Sequence, residues 1–279
     1  MAEGGKASPR IGLALGGGGA RGFAHVPVIE ALDELGLKPI VIAGTSMGAI
    51  IGAGYAAGMT GLAIRNYSVE LFSRRSEVIA RLWKLRPRTV GDLFSQGITQ
   101  LDAERVIRTF LPEILPEDFD GLSIPLKAIA TDFYGWGEAV LDSGPLRRAV
   151  AASAAIPVLF RPVVIDGRVL IDGGISNPLP FDHLGEDCDI TIAVDVIGGP
   201  VGGHSKPPGS SEAMFGAAQL FMQAITREKL RSSRPPTILI RAPPNAYRVL
   251  DFMKAADILD AAAPVKDELK RKMERALAR

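Results

Sequence analysis

No charged residue occurs between Pro39 and Ile64. The run exceeds the ~20 residues a helix needs to cross a bilayer. A membrane span is one reading of it, but six glycines and its internal divisions favour another. Ile40-Val41-Ile42 is a β-branched triplet, Gly44-Thr45-Ser46 has the composition of a turn, and small residues continue to about Tyr55. A strand followed by a helix, both buried, explains these divisions. A strand covered on both faces belongs in a parallel sheet.

The chain on either side fits that reading. Ile11–Leu15 is an apolar strand candidate, followed by a glycine run and a helix from about Ala20 to Leu35; Ile40–Ala43 is the next strand. The βαβα order predicts an α/β fold, a three-layer α/β/α arrangement around a central, mostly parallel sheet. Residues 61–118 read as a helical insertion without a clear strand. Strand signals return at Leu126–Ala130 and Ala139–Leu141, and Pro145–Ala155 reads as a helix. Val163-Val164-Ile165 and Arg168-Val169-Leu170-Ile171 flank Asp166-Gly167, a hairpin signature. Ile190–Val196 is a further strand, Gly198–Ser211 a mobile loop, Glu212–Leu230 a helix and Thr237–Arg241 a strand, with two helices to finish. One α/β domain over residues 11–279 follows, behind a flexible segment at 1–10.

Composition removes several classes of function. Thirty-two basic and 31 acidic residues give a net charge of +1, no overall footprint for nucleic acid. Cys188 is a lone cysteine, and His25, His183 and His204 are too far apart for zinc-like spacing. Met1–Arg10 lacks the apolar core of a signal peptide, so a reducing, cytoplasmic setting is expected. No metal or organic cofactor is expected.

Two glycine-rich motifs carry chemistry. Gly44-Thr45-Ser46-Met47-Gly48 fits G-x-S-x-G, in which a serine sits on a tight strand-to-helix turn. Gly16-Gly17-Gly18-Gly19-Ala20-Arg21-Gly22 follows the first strand and opens a helix, where converging backbone N–H groups favour an anion. A pyrophosphate or a tetrahedral oxyanion would suit that cradle. A dinucleotide site would want an acidic residue at the end of the next strand, where this chain has Ala43 and Gly44. An oxyanion hole beside Ser46 is therefore the better assignment. Asp172-Gly173-Gly174 leaves the hairpin; taken alone, it reads equally well as a turn-forming aspartate before glycines.

In this order, G-G-G-x-R-G at Gly17–Gly22, G-T-S-M-G at Gly44–Gly48 and D-G-G at Asp172–Gly174 resemble the patatin-like phospholipases, in particular the bacterial lysophospholipase and esterase members. Ala152-Ser153-Ala154-Ala155-Ile156-Pro157 and Ser176-Asn177-Pro178 strengthen the resemblance. It implies Ser46 as nucleophile, Asp172 as its base, and the N–H groups of Gly17, Gly18 and Gly19 as oxyanion donors. Arg21, Gly22, Gly44, Gly48, Gly173 and Gly174 would support them, Arg21 by anchoring its loop through hydrogen bonds. The implied substrate is a fatty-acyl ester of a phospholipid or lysophospholipid.

Competing readings are a Ser–His–Asp triad completed by His183 or His204, a nucleotide- or phosphate-binding module, and an idle fold kept for protein interaction. Residues 74–88 combine six basic side chains with Val78, Ile79, Leu82, Trp83 and Leu85. They read either as a helix packed on the sheet with a solvated basic face or as a peripheral membrane contact.

Overall fold

The computed structural model describes residues 8–85, 100–200, 207–232, 234–242 and 246–278. Among them, eight strands form one sheet: β1 (Ile11–Leu15), β2 (Pro39–Thr45), β3 (Leu126–Asp132), β4 (Gly137–Leu141), β5 (Val163–Ile165), β6 (Arg168–Asp172), β7 (Ile190–Asp195) and β8 (Ile238–Arg241). The β2–β1–β7–β8 block is parallel, and β3 continues it beside β2. The charge-free run thus divides as its composition suggested. Pro39–Thr45 is a sheet strand, and α2 (Met47–Ala56) is a helix buried over most of its length. Among the described residues no helix is long and apolar enough to cross a membrane.

Side chains alternate across the sheet with a period of two. Leu13, Leu15, Ile42, Ile192 and Val194 enter the larger core, beneath α1 (Val26–Glu34), α2 and the final helix. Ala14, Ala43 and Ala193 point to the opposite face, where Leu179, Phe181 and Leu184 cover them. Both faces are therefore covered, and the fold is the three-layer α/β arrangement the element order implied.

Strand β3 decides where the site forms. Ala128 and Ile129 pair with both Gly44–Thr45 of β2 and Leu141–Val140 of β4, while Ala130–Asp132 pair with both β4 and Asp172–Leu170 of β6. A strand has two edges, so β2 and the antiparallel β6 share the edge opposite β4. They run toward each other along β3, and the end of β2 meets the end of β6.

The remaining helices are α3 (Gly61–Ser73), α4 (Arg75–Lys84), α5 (Ala103–Phe110), α6 (Leu146–Ser153), α7 (Ser210–Ser232), α8 (Ala255–Ala261) and α9 (Pro264–Leu277). Thr60 and Asp102 cap α3 and α5 by accepting from the Ala63 and Arg105 N–H groups. Phe23, Phe72 and Phe252 pack with ring centroids 5.6–6.3 Å apart, fastening α3 to the segment after β1.

Two expected boundaries differ. The segment after the glycine run winds first as a 3-10 helix, Gly19–His25, and becomes α-helical only at Val26. The Arg21 side chain turns back to the Gly18 carbonyl and the His25 ring to the Gly16 carbonyl, which holds this tighter winding. Helix α7 begins at Ser210, inside the expected loop 198–211, of which residues 201–206 lie outside the described set. Arg86 and Arg88, part of the expected 74–88 patch, also lie outside it, as do residues 1–7 of the N-terminal segment.

Candidate active site

Ser46 occupies the junction between β2 and α2 with φ 55 and ψ −119, a backbone conformation that costs a side-chain-bearing residue about 1–3 kcal/mol. Several contacts hold it there. The Ser46 carbonyl accepts from the Ala49 and Ile50 N–H groups, so α2 starts at once. The Ser46 N–H donates to Ser153 Oγ at 2.9 Å, and Ser153 in turn donates to the Ile129 carbonyl of β3 at 2.5 Å. Gly48 lies directly against the Leu15 carbonyl, where a β-carbon would collide, and Gly44 passes close to the Ala49 backbone. These contacts pin the Ser46 backbone in its turn.

Because β2 and β6 meet on β3, Asp172 arrives opposite Ala130, one residue beyond the Thr45–Ile129 pair. Ser46 Oγ donates to Asp172 Oδ2 at 2.6 Å. Asp172 Oδ1 accepts from the Gly174 N–H at 2.8 Å, the Asp172 N–H donates to the Ala155 carbonyl at 3.0 Å, and its own carbonyl accepts from Thr131 Oγ1 at 2.9 Å. Gly173 packs onto the Ile129 carbonyl, leaving no room for a side chain. Ser46 and Asp172 are buried, at 5% and 7% exposure. Burial pushes the Asp172 carboxyl up to about 6, against the opposing pull of the Ser46 and Gly174 hydrogen bonds. A carboxylate so placed can accept the serine proton near neutral pH.

The glycine run lies beside this pair. Gly19, in the left-handed conformation at φ 59, lines the same cavity as Ser46. Gly17 is adjacent to Ser46, but its N–H donates to the Pro178 carbonyl at 2.9 Å. That bond corrects the expectation that Gly17 is an oxyanion donor. Among the described residues the Gly18 and Gly19 N–H groups have no acceptor. Gly22 packs against Met47, and Gly174 against Met222 of α7.

Arg21 is fully buried. Its Nε–H donates to the Gly18 carbonyl at 3.4 Å, and the Gln219 side-chain oxygen, turned toward the guanidinium, accepts from both terminal nitrogens at 2.8 and 3.2 Å. Burial lowers its pKa to about 10. Its contacts anchor the loop rather than touch the dyad.

Two sequence motifs acquire physical roles that sequence reasoning had not assigned. Ser153 receives the Ser46 N–H and Ala155 receives the Asp172 N–H, so Ala152–Pro157 clamps both members of the pair. Ser176-Asn177-Pro178 fastens the glycine run and the elbow, because the Asn177 carbonyl accepts from Thr45 Oγ1 and the Pro178 carbonyl from Gly17.

The described histidines stand apart from this chemistry. His25 is buried, its Nε2–H donates to the Gly16 carbonyl at 2.8 Å, and burial lowers its pKa to about 4. His183 Nε2 faces Glu138 at 3.1 Å and Asp182 at 3.7 Å. His204 lies outside the described residues. Glu138, Asp182 and His183 cluster closely enough to suggest a cation site, but the Lys229 ammonium bonds Asp182 at 2.6 Å and the Asn177 amide donates to both carboxylates.

A cavity of about 800 Å³ opens on Ser46. Its walls are predominantly apolar and come from α2, α3, α4, α5 and the 156–160 loop. Val78, Ile79, Leu82 and Trp83 of α4 line it. The apolar face of 74–84 therefore walls the cavity instead of packing on the sheet, while Arg74, Arg75 and Arg81 are exposed.

Residues 13–184 match the family model described as patatin-like phospholipase. An uncharacterised NTE family protein of Mycobacterium bovis is 39% identical over 202 residues, which is 71% of this chain and 52% of the relative; the chain thus spans about half that protein's length. Lysophospholipase NTE1 of Kluyveromyces lactis is 27% identical over 277 residues, covering 89% of this chain and 18% of the relative. Among solved structures, VipD of Legionella pneumophila aligns with 94% of this chain and 67% of its own, at TM-score 0.48 and 14% identity. Human GIVD cytosolic phospholipase A2 aligns with 97% and 60%, at TM-score 0.45 and 14% identity.

Proposed function

The chain belongs to the patatin-like phospholipase family, and from that premise we propose that it is a serine lipid-acyl hydrolase acting on fatty-acyl esters of phospholipids or lysophospholipids. The observation that carries the reading is the 2.6 Å hydrogen bond from a strained Ser46 to a buried Asp172, at the foot of an apolar cavity of about 800 Å³. An apolar cavity of this size suits a long acyl chain and offers little to a nucleotide. That relatives such as the Kluyveromyces lactis protein are lysophospholipases by name agrees with that substrate class.

In the proposed cycle Ser46 Oγ attacks the ester carbonyl carbon while its proton passes to Asp172 Oδ2. The carbonyl oxygen gains the negative charge, and the Gly18 and Gly19 N–H groups, with the positive end of α2 nearby, stabilise it. The tetrahedral species collapses, the C–O bond to the alcohol breaks, and Asp172 returns its proton to the departing alkoxide. Water then gives a proton to Asp172 and attacks the acyl-enzyme, releasing the fatty acid and regenerating Ser46.

A fluorophosphonate probe and a lipid-hydrolysis panel test this reading. Covalent labelling at Ser46, with hydrolysis lost in Ser46→Ala, is the expected result. Hydrolysis surviving in a folded Ser46→Ala variant would overturn it.

A further inference from the structure

Strands β1, β2 and β3 are parallel, so their carboxyl ends lie on one edge of the sheet. From that edge β1 releases the glycine run and β2 releases Ser46. From the same edge β3 releases Phe133, Tyr134, Gly135 and Trp136, before the chain returns as β4. Thr45, the residue before Ser46, pairs with Ile129, so Phe133 lies four residues, about 13 Å, beyond that pair at ~3.3 Å per residue. The same strand is tied to the site, because Thr131 bonds the Asp172 carbonyl.

The tip is built of apolar rings that the fold leaves in water. Phe133, Tyr134 and Trp136 are 52%, 74% and 92% exposed. Phe133 and Tyr134 touch edge to face, with centroids 5.1 Å apart. Trp136 is held at φ 55, a conformation bulky side chains rarely adopt, and the turn is fixed by the Gly135 N–H donating to Asp132 Oδ1 at 2.9 Å. A strained backbone that presents an almost fully exposed indole contributes nothing evident to the core.

We propose that residues 133–136 are an interfacial anchor that enters the headgroup region of a lipid surface and sets the Ser46 edge of the sheet against it. The inference rests on the lipid-hydrolase reading, since a substrate held in aggregated lipid must be met at its surface. The chemistry of the tip agrees. Tryptophan and tyrosine settle at the membrane–water interface, with the ring in an apolar layer and the polar atom in water. The side chains of residues 133–137 carry no charge, and one carboxylate, that of Asp132, sits at the base of the turn, where it accepts from the Gly135 N–H. Four residues are also too few to bury the ~800 Å² per partner of a stable protein interface.

The chain has two tryptophans, so Trp83→Phe leaves Trp136 as the sole reporter. In a Ser46→Ala/Trp83→Phe background, its emission is expected to shift blue when phosphatidylcholine vesicles are added. In a second experiment Phe133→Ser, Tyr134→Ser and Trp136→Asn are combined in the otherwise native chain; asparagine tolerates the left-handed conformation, and thermal denaturation verifies folding. Hydrolysis of phospholipid in vesicles is expected to fall at least about tenfold, with hydrolysis of a soluble butyrate ester held within about twofold. An unshifted Trp136 emission, equal vesicle hydrolysis by the folded triple variant, or a lipid-independent dimer that the triple variant abolishes would overturn the proposal. If the native chain hydrolyses no ester, the hydrolase reading fails, and the emission shift still judges the anchor separately.

Discussion

Changing Asp172 to Asn should remove activity and stabilise the protein, and the second effect depends on pH. The ordinary pKa of 3.8 is raised to about 6 because the carboxyl is buried. Between those values the folded chain keeps a proton that the unfolded chain has released. Stability therefore falls as pH rises through this window, and the whole deficit is present above about pH 6. At 1.36 kcal/mol per unit, the shift corresponds to about 3 kcal/mol. Asparagine has the same shape and no charge. Its oxygen can still accept from the Gly174 N–H, and its amide can donate to Ser46 Oγ. Urea unfolding of parent and variant should therefore show a stability difference that grows by about 3 kcal/mol in favour of Asn between about pH 3 and about pH 8. With a slope near 3 kcal/mol/M, that is about 1 M in midpoint. A difference that stays constant with pH, or moves the other way, would show that the carboxylate is not desolvated in the fold.

Three further outcomes are expected. On a soluble ester, kcat/KM should drop about tenfold per pH unit below about 6 and level off above it, because only the ionised carboxylate accepts the Ser46 proton; a profile flat to about pH 4 would remove Asp172 as the base. Val78→Trp, which places a larger ring in the cavity wall, should slow a long-chain ester at least about tenfold more than a butyrate ester, and equal slowing on both would show that the acyl chain lies elsewhere. His183→Gln should retain more than about a tenth of kcat, since losing a general base costs ~10²–10⁴-fold, and a loss of that larger size would bring a histidine into the chemistry.

Local signals carried much of this structure. Asp166-Gly167 gave the hairpin away, and these residues take φ 50 and 74 as a two-residue turn requires. The charge-free run after Pro39 located β2 and α2, and the glycines flanking Ser46 identified a turn that admits no side chains beside it. Long-range contacts were not legible. Nothing near Gly17 in sequence reveals that its N–H meets the carbonyl of Pro178, which is why it was counted among the oxyanion donors. Ser153 sits in an alanine-rich helix end, and its bond to the Ser46 N–H spans 107 positions. Helical periodicity found the apolar face of 74–84 but could not say what it faces, because the empty space it borders is shaped by three other helices and a loop.

The meeting of β2 and β6 on β3 also bears on how the molecule assembles. Ser46 belongs to a strand–helix unit complete by Ala56, and Asp172 to a hairpin that begins at Val163; 126 positions separate the two side chains. Each unit can acquire its own secondary structure locally, whereas a contact of such sequence separation forms only after a large loop has closed. During refolding, far-UV ellipticity should therefore recover before esterase turnover, and the lag between the two would time the docking of the β5–β6 hairpin onto β3.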